Sequence, residues 1–220
     1  MKNELLERFE FDGDNHLISS IETPLRPDAF FKSNDEKIQN IQHHFQCIME
    51  ELGLDLEDDS LKGTPYRVAK MYVKELFKGL DPKNKPTLSV FENKYDYNKM
   101  LIESHITFNS SCEHHFLPIT GKAHVGYVSS GKVIGLSKIN RIVDYYARRP
   151  QVQERMSRQI FNELKDALHT ESVIVVVEAE HLCVSSRGVN DKTSKTTTIE
   201  YGGVFEDTST RSDFFKLIHY

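Results

Sequence analysis

The run of five consecutive β-branched residues from Val173 to Val177 constrains the fold of this chain more than any other feature. Its length and composition suit a buried strand. It is also the longest apolar run present, far below the roughly 20 residues a helix needs to cross a bilayer, so no membrane role is expected. Partner strands can be read upstream. Ile102, Ser104, Ile106 and Phe108 alternate onto one face, and Ile119, Gly121, Ala123, Val125 and Tyr127 onto one face of a second strand. The threonine-rich stretch Lys195 to Tyr201 reads as a further strand. Between the two pairs lie two helical patterns. Ser137 is placed to cap the first, whose positions Ile139, Ile142, Val143 and Tyr146 fit a 3.6 period and which Pro150 ends. Val152, Met156, Ile160 and Leu164 mark the second. The order strand, strand, helix, helix, strand, strand implies an α+β architecture, with the helices on one face of an antiparallel sheet.

The N-terminal part has another character. Residues 1–33 carry charges, Pro24 and Pro27 without a period and read as an extended arm. Ile38, Ile41, Phe45, Ile48 and Leu52 then recur at helical spacing before Gly53, with Cys47 expected as a buried free thiol. Thr64-Pro65 starts another helix, expected to run to Gly79. The turn-rich link from Asp81 to Pro86 introduces the change, giving an arm (1–33), a helical region (34–95) and a main domain (96–220).

A chain of 220 residues can bury a full core without staples. Its three cysteines do not make a disulfide framework and its first residues lack an apolar secretion segment, so a cytoplasmic setting is expected. The net charge of −5, with basic residues dispersed, argues against polymeric nucleic acid.

Three groups of residues carry chemistry. Cys112 and His115 place a thiol and an imidazole three residues apart after a strand, and His181-Leu182-Cys183 follows the Val173 to Val177 strand. In an extended chain His181 and Cys183 would share a face. If the two strand ends meet, Cys112, His115 and Cys183 supply the three donors of an open catalytic metal site, although His114, Glu113 or His181 could close it as a structural one. Ser137, Lys138 and Arg141 occupy a helix start, where phosphate is favoured, and Arg187 could reach the same anion. Gln153 and Glu154 open the next helix, where the carboxylate could pair with a ring bearing adjacent N–H donors. By themselves these residues point to a purine-like phosphate ester.

The segments GTPYRVAKMY (63–72), SSCEHHFLPITGKAHVGY (110–127), VIGLSKINRIVDYYARRPQVQERM (133–156) and HLCVSSRGVNDKTSKTTT (181–198) closely resemble the GTP cyclohydrolase I family over most of the chain from Thr64 onward. The resemblance implies a tunnelling fold assembled as a toroidal homodecamer with sites between subunits. It also implies zinc-dependent hydrolysis of GTP to 7,8-dihydroneopterin triphosphate and formate, the first step toward tetrahydrofolate and other pteridines. Carried over by position, Cys112, His115 and Cys183 match the zinc ligands. Glu154 with Gln153 matches the guanine anchor, and His114, His181, Ser137 and Gln153 fall at catalytic positions. Ser137, Lys138, Arg141 and Arg187 match groups around the ribose and triphosphate, and Lys70 a phosphate-contacting lysine from a neighbouring subunit. Two rivals remain: reductases and synthases built on the same subunit, against which the full Cys-x-x-His and His-x-Cys set argues, and a non-catalytic GTP- or pterin-binding protein pinned by zinc.

Overall fold

The computed structural model describes residues 20–219. The expectation for residues 1–19 lies outside them. Helix α1 (Asn34–Glu51) starts at a capping box: the Ser33 hydroxyl accepts from the Glu36 amide at 3.2 Å, and the Glu36 carboxylate accepts from the Ser33 amide at 2.7 Å. Of α1, only Ile38 and Met49 are buried, while Ile48 and Leu52 face outward. Cys47 is exposed too, correcting the expected buried thiol: α1 docks along a narrow stripe, and Cys47 lies off it.

Helix α2 (Thr64–Met71) is capped by Gly63 and not by Thr64, whose hydroxyl instead accepts from the Arg67 guanidinium at 2.9 Å. It ends earlier than expected. A π-turn (Tyr72–Leu76) and two 3-10 turns (Lys78–Leu80 and Pro82–Asn84) carry the chain onward. Gly79 is needed there, because a Cβ would stand 2.0 Å from the Tyr145 carbonyl oxygen, and its amide donates to Arg148 O at 2.9 Å. The N-terminal helices are thus seated on the main domain backbone to backbone.

A small two-stranded sheet pairs β1 (Val90–Glu92) with β4 (Lys132–Ile134). The main sheet contains β2 (Met100–Cys112), β3 (Pro118–Val128), the two-residue β5 (Pro150–Gln151), β6 (Val173–His181) and β7 (Thr196–Tyr201), in the order β5-β2-β3-β6-β7. All neighbours are antiparallel except β5, which runs parallel to the end of β2. Helices α3 (Leu136–Ala147) and α4 (Gln153–Leu168) cover one face, packing Ile139, Ile142, Met156, Ile160 and Leu164 onto Ile106, Val125, Val175 and Val177. Gly135 and not Ser137 caps α3, so Ser137 lies in the first turn.

Two features were not foreseen. A helix at the C-terminal end, α5 (Thr208–Ile218), covers the opposite face and buries Phe214 and Ile218 with Ile174 and Val176, which is why the whole Val173 to Val177 run is dry. A β-bulge interrupts β2 between Glu103 and Ile106, with His105 at φ 60°. Two residues of β2 there oppose the single His124, so the faces switch. Ile102 packs on the α5 side and Ile106 and Phe108 on the α3/α4 side, correcting the single-face assignment.

Candidate metal and substrate site

Cys112 ends β2, buried, and the chain reverses at once. The Phe116 amide donates to Cys112 O at 2.8 Å, the Cys112 amide donates to Leu117 O at 2.8 Å, and Phe116 takes a left-handed φ of 56°. This helical turn puts Cys112 and His115 on one side, with Sγ to Nδ1 at 3.9 Å. Ile119, just beyond, pairs with His181 at the end of β6, which delivers Cys183 to the same place. The donor atoms of Cys112, His115 and Cys183 all lie within 4.8 Å of one another. Burial, and then the neighbouring Cys112, push the Cys183 thiol above its ordinary pKa, a shift that a bound cation would oppose.

The route differs from the extended one anticipated. Leu182–Ser185 is a single helical turn, so His181 and Cys183 diverge: the sulfur goes to Cys112, and the imidazole goes to α4. His181 Nε2 lies 2.7 Å from Gln153 Oε1. Gln153 is buried, and its amide nitrogen donates to Val177 O at 2.9 Å and Thr196 O at 3.0 Å. Both ends of that amide are engaged by the protein, so Gln153 orients His181. Burial lowers the pKa of His181, and the Glu154 carboxylate opposes the shift. His114 stands exposed beside the donors, with Nδ1 3.8 Å from Cys112 Sγ and Nε2 3.8 Å from Glu113 Oε1. Arg187 Nη1 lies against His115 Nε2.

Glu154 is exposed and lines a cavity of about 670 Å³ with Ser20, Ile21, Val152, Arg155, Arg158 and Glu200 among its walls. Sequence reasoning missed one connection here: Arg155, buried, binds the Glu113 carboxylate with Nη1 at 2.5 Å and Nη2 at 3.2 Å. No local signal announces a contact spanning 42 positions.

Ser137, Lys138 and Arg141 are together at the start of α3, where Gly135 is the N-cap and no side chain caps the helix, but not with the donors. Asn140 Nδ2 donates to Glu103 Oε1 at 3.2 Å, which places that start beside the far portion of β2. With the bulge taking up one of the nine steps, Glu103 and Cys112 are roughly 25 Å apart at about 3.3 Å per residue. Arg141 lines a separate cavity of about 300 Å³ with Lys78, Asn84 and Asp144, and Lys70 is exposed on α2.

The fold and site define an α+β chain in which the donor atoms of Cys112, His115 and Cys183 gather at one end of the sheet, close enough to share a metal ion. The model of GTP cyclohydrolase I matches residues 41–219, and the chain belongs to that family, with its tunnelling fold. The GTP cyclohydrolase 1 of Flavobacterium johnsoniae is 56% identical over 206 residues, covering 94% of this chain and 92% of that protein. Those of Vibrio parahaemolyticus and Citrobacter koseri are 52% and 48% identical over 88% and 91% of this chain and 89% and 90% of their own lengths. A solved structure, the archaeosine synthase QueF-Like in the apo form, overlays 48% of this chain and 95% of its own with a TM-score of 0.40 and 18% identity. Among the described residues no helix is long and apolar enough to cross a membrane.

Proposed function

We propose that this chain hydrolyses GTP to 7,8-dihydroneopterin triphosphate and formate in the cytoplasm, at the entry to tetrahydrofolate and other pteridines, with zinc held by Cys112, His115 and Cys183. The observation that carries the reading is the meeting of these three donors within 4.8 Å, next to His181 and the Glu154 cavity. Sulfur and imidazole ligands at about 2.3 and 2.0 Å from a tetrahedral ion stand about 3.6 Å apart, close to the 3.9 Å between Cys112 and His115, so the donor set fits zinc. Zinc, when bound, supplies a Lewis acid that makes water available as a nucleophile near neutral pH.

The remaining roles belong to side chains. The Glu154 carboxylate accepts from adjacent N–H groups of guanine and sets the base in its cavity. His181, steadied through Nε2 by Gln153, presents Nδ1 to the purine, where a proton makes C8 more electrophilic. Two waters are consumed in releasing formate and one is lost when the new ring closes after rearrangement of the ribose; these later steps need acid and base groups at the sugar, where His114 and Ser137 serve. Lys138, Arg141, Arg187 and Lys70 receive the triphosphate.

Ser137, Lys138 and Arg141 lie at the α3 start, which Asn140 ties to the Glu103 portion of β2 and not to the donors, and this favours a site whose two groups come from different subunits. The donor end of one subunit meets the α3 start of the next, in a closed ring of the decameric kind. Incubating zinc-replete protein with GTP tests the activity: formate and, after oxidation, fluorescent neopterin are expected, and their absence overturns it.

A further inference from the structure

We infer that Arg155 is a positioning residue for the metal donors, acting through Glu113. The inference rests on the zinc reading above and concerns residues to which that reading gives no part. The segment Cys112 to Phe116 is a five-residue turn closed by the Phe116 amide on Cys112 O. Cys112 and His115 lie on one side of it, 3.9 Å apart at Sγ and Nδ1, and Glu113 projects elsewhere, to Arg155. Whatever grips Glu113 therefore sets the rotation of the turn, and with it the direction of the two donors.

Arg155 provides that grip. Its side chain is 3% exposed, and it holds both carboxylate oxygens of Glu113 in a two-pronged contact, the geometry a guanidinium fork is built for. Its third nitrogen, Nε, donates to Ser20 O at 2.8 Å, so each nitrogen of the guanidinium makes a hydrogen bond. The backbone adds a second fixture, with the Glu113 amide donating to Gln151 O at 3.1 Å. Arg155 also follows Glu154 on α4 and lines the same cavity. One side chain thus fixes the Cys112–His115 turn relative to the carboxylate proposed to hold the base. A buried ion pair serving stability alone would not need to sit between the metal turn and that carboxylate.

The test is zinc affinity by competition with a chelator, read on the full chain alongside GTP kinetics and melting temperature. Glu113→Gln and Arg155→Met are each expected to raise the zinc dissociation constant about 10–100-fold, as loss of groups that orient metal ligands does. The double variant should be no worse than the weaker-binding single one, because the two act as a unit. Arg155→Lys, which keeps the charge without the fork and disturbs folding less, should fall between parent and Arg155→Met. In zinc-saturated variants kcat should fall more than KM for GTP rises. A lower melting temperature with zinc affinity within twofold of the parent would reduce the pair to a structural one and overturn the inference. A parent that binds no zinc sinks the metal reading and this one with it. A parent that binds zinc without turning over GTP sinks only the activity.

Discussion

The two ends of β2 hold different kinds of site. At the Cys112 end the chain completes its own constellation: donors from two strand ends converge, Gln153 holds His181, and Arg155 holds Glu113. At the Glu103 end, the start of α3 displays Ser137 and Arg141 to solvent, with Gly135 as the N-cap and no side chain capping the helix. Buried polar groups must find partners within the fold, so the donor end is built to be rigid before any ligand arrives. Exposed cations at a helix start are left to meet an anion brought by something else. In the proposed reading the ends are two halves of one site, contributed by different subunits.

Substitutions should separate the halves. The largest effect is expected at the donor end: Cys183→Ala removes a ligand, so zinc measured per chain should fall well below one and turnover drop by at least ~1,000-fold. Zinc retained with full activity would break the assignment. Next, His181→Ala should keep zinc and lose about 100–10,000-fold in kcat, the range of a lost general acid or base. Zinc loss in that variant would move His181 among the ligands. At the other end, Arg141→Ala should cost roughly 1.5–3 kcal/mol of charge-assisted binding, a 10–100-fold fall in kcat/KM, with zinc untouched and salt sensitivity reduced. An unchanged kcat/KM would leave the α3 start without its proposed role.

A smaller effect is expected from the sheet that joins the two ends. His124, 1% exposed on β3, faces His105, Glu178, His219 and Lys122; burial, chiefly, and His105 hold its pKa below 6.5, while Glu178 opposes them. Its Nδ1 accepts from the His105 amide at the bulge at 3.4 Å, and its Nε2 has no hydrogen-bond partner among the described residues, with Glu178 Oε2 at 3.6 Å. The unfolded chain takes up this proton first as pH falls below about 6.5, so stability should decline from there until the folded pKa is reached, by at most about 1.4 kcal/mol per pH unit from this group. Urea midpoints between pH 7 and 5 measure it. A slope identical in His124→Gln would assign the acid sensitivity elsewhere.

How far these features could be read from residues depended on the range of the cause. Val173 to Val177 and the α4 pattern Met156, Ile160 and Leu164 are local and periodic, and the chain folds accordingly. The C-terminal helix α5 was missed because Phe214, Phe215, Leu217 and Ile218 form a short cluster without a clear period. The bulge at His105 adds one residue to β2, and nothing in an alternating pattern reveals which strand carries the extra one. At the site, the donor trio followed from Cys-x-x-His and His-x-Cys spacing, but the reason given for Cys183 did not hold, since a helical turn and not an extended chain delivers it. Gln153 to His181 and Glu113 to Arg155 are contacts across 28 and 42 positions, set by how α4 lies on the sheet. The spread between Cys112 and Ser137 is likewise a property of topology: both flank the same strand, at opposite ends.

The pairing of halves from different subunits is tested most directly by complementation. Cys183→Ala chains and Lys138→Ala/Arg141→Ala chains, carrying different tags, are co-expressed, and mixed oligomers are isolated through both tags. If each site joins the donor end of one subunit to the α3 start of another, random assembly at equal amounts should restore about a quarter of parental GTP turnover, though each protein alone is nearly inactive. Mixed oligomers no more active than the two proteins measured apart would show that each subunit builds its site alone.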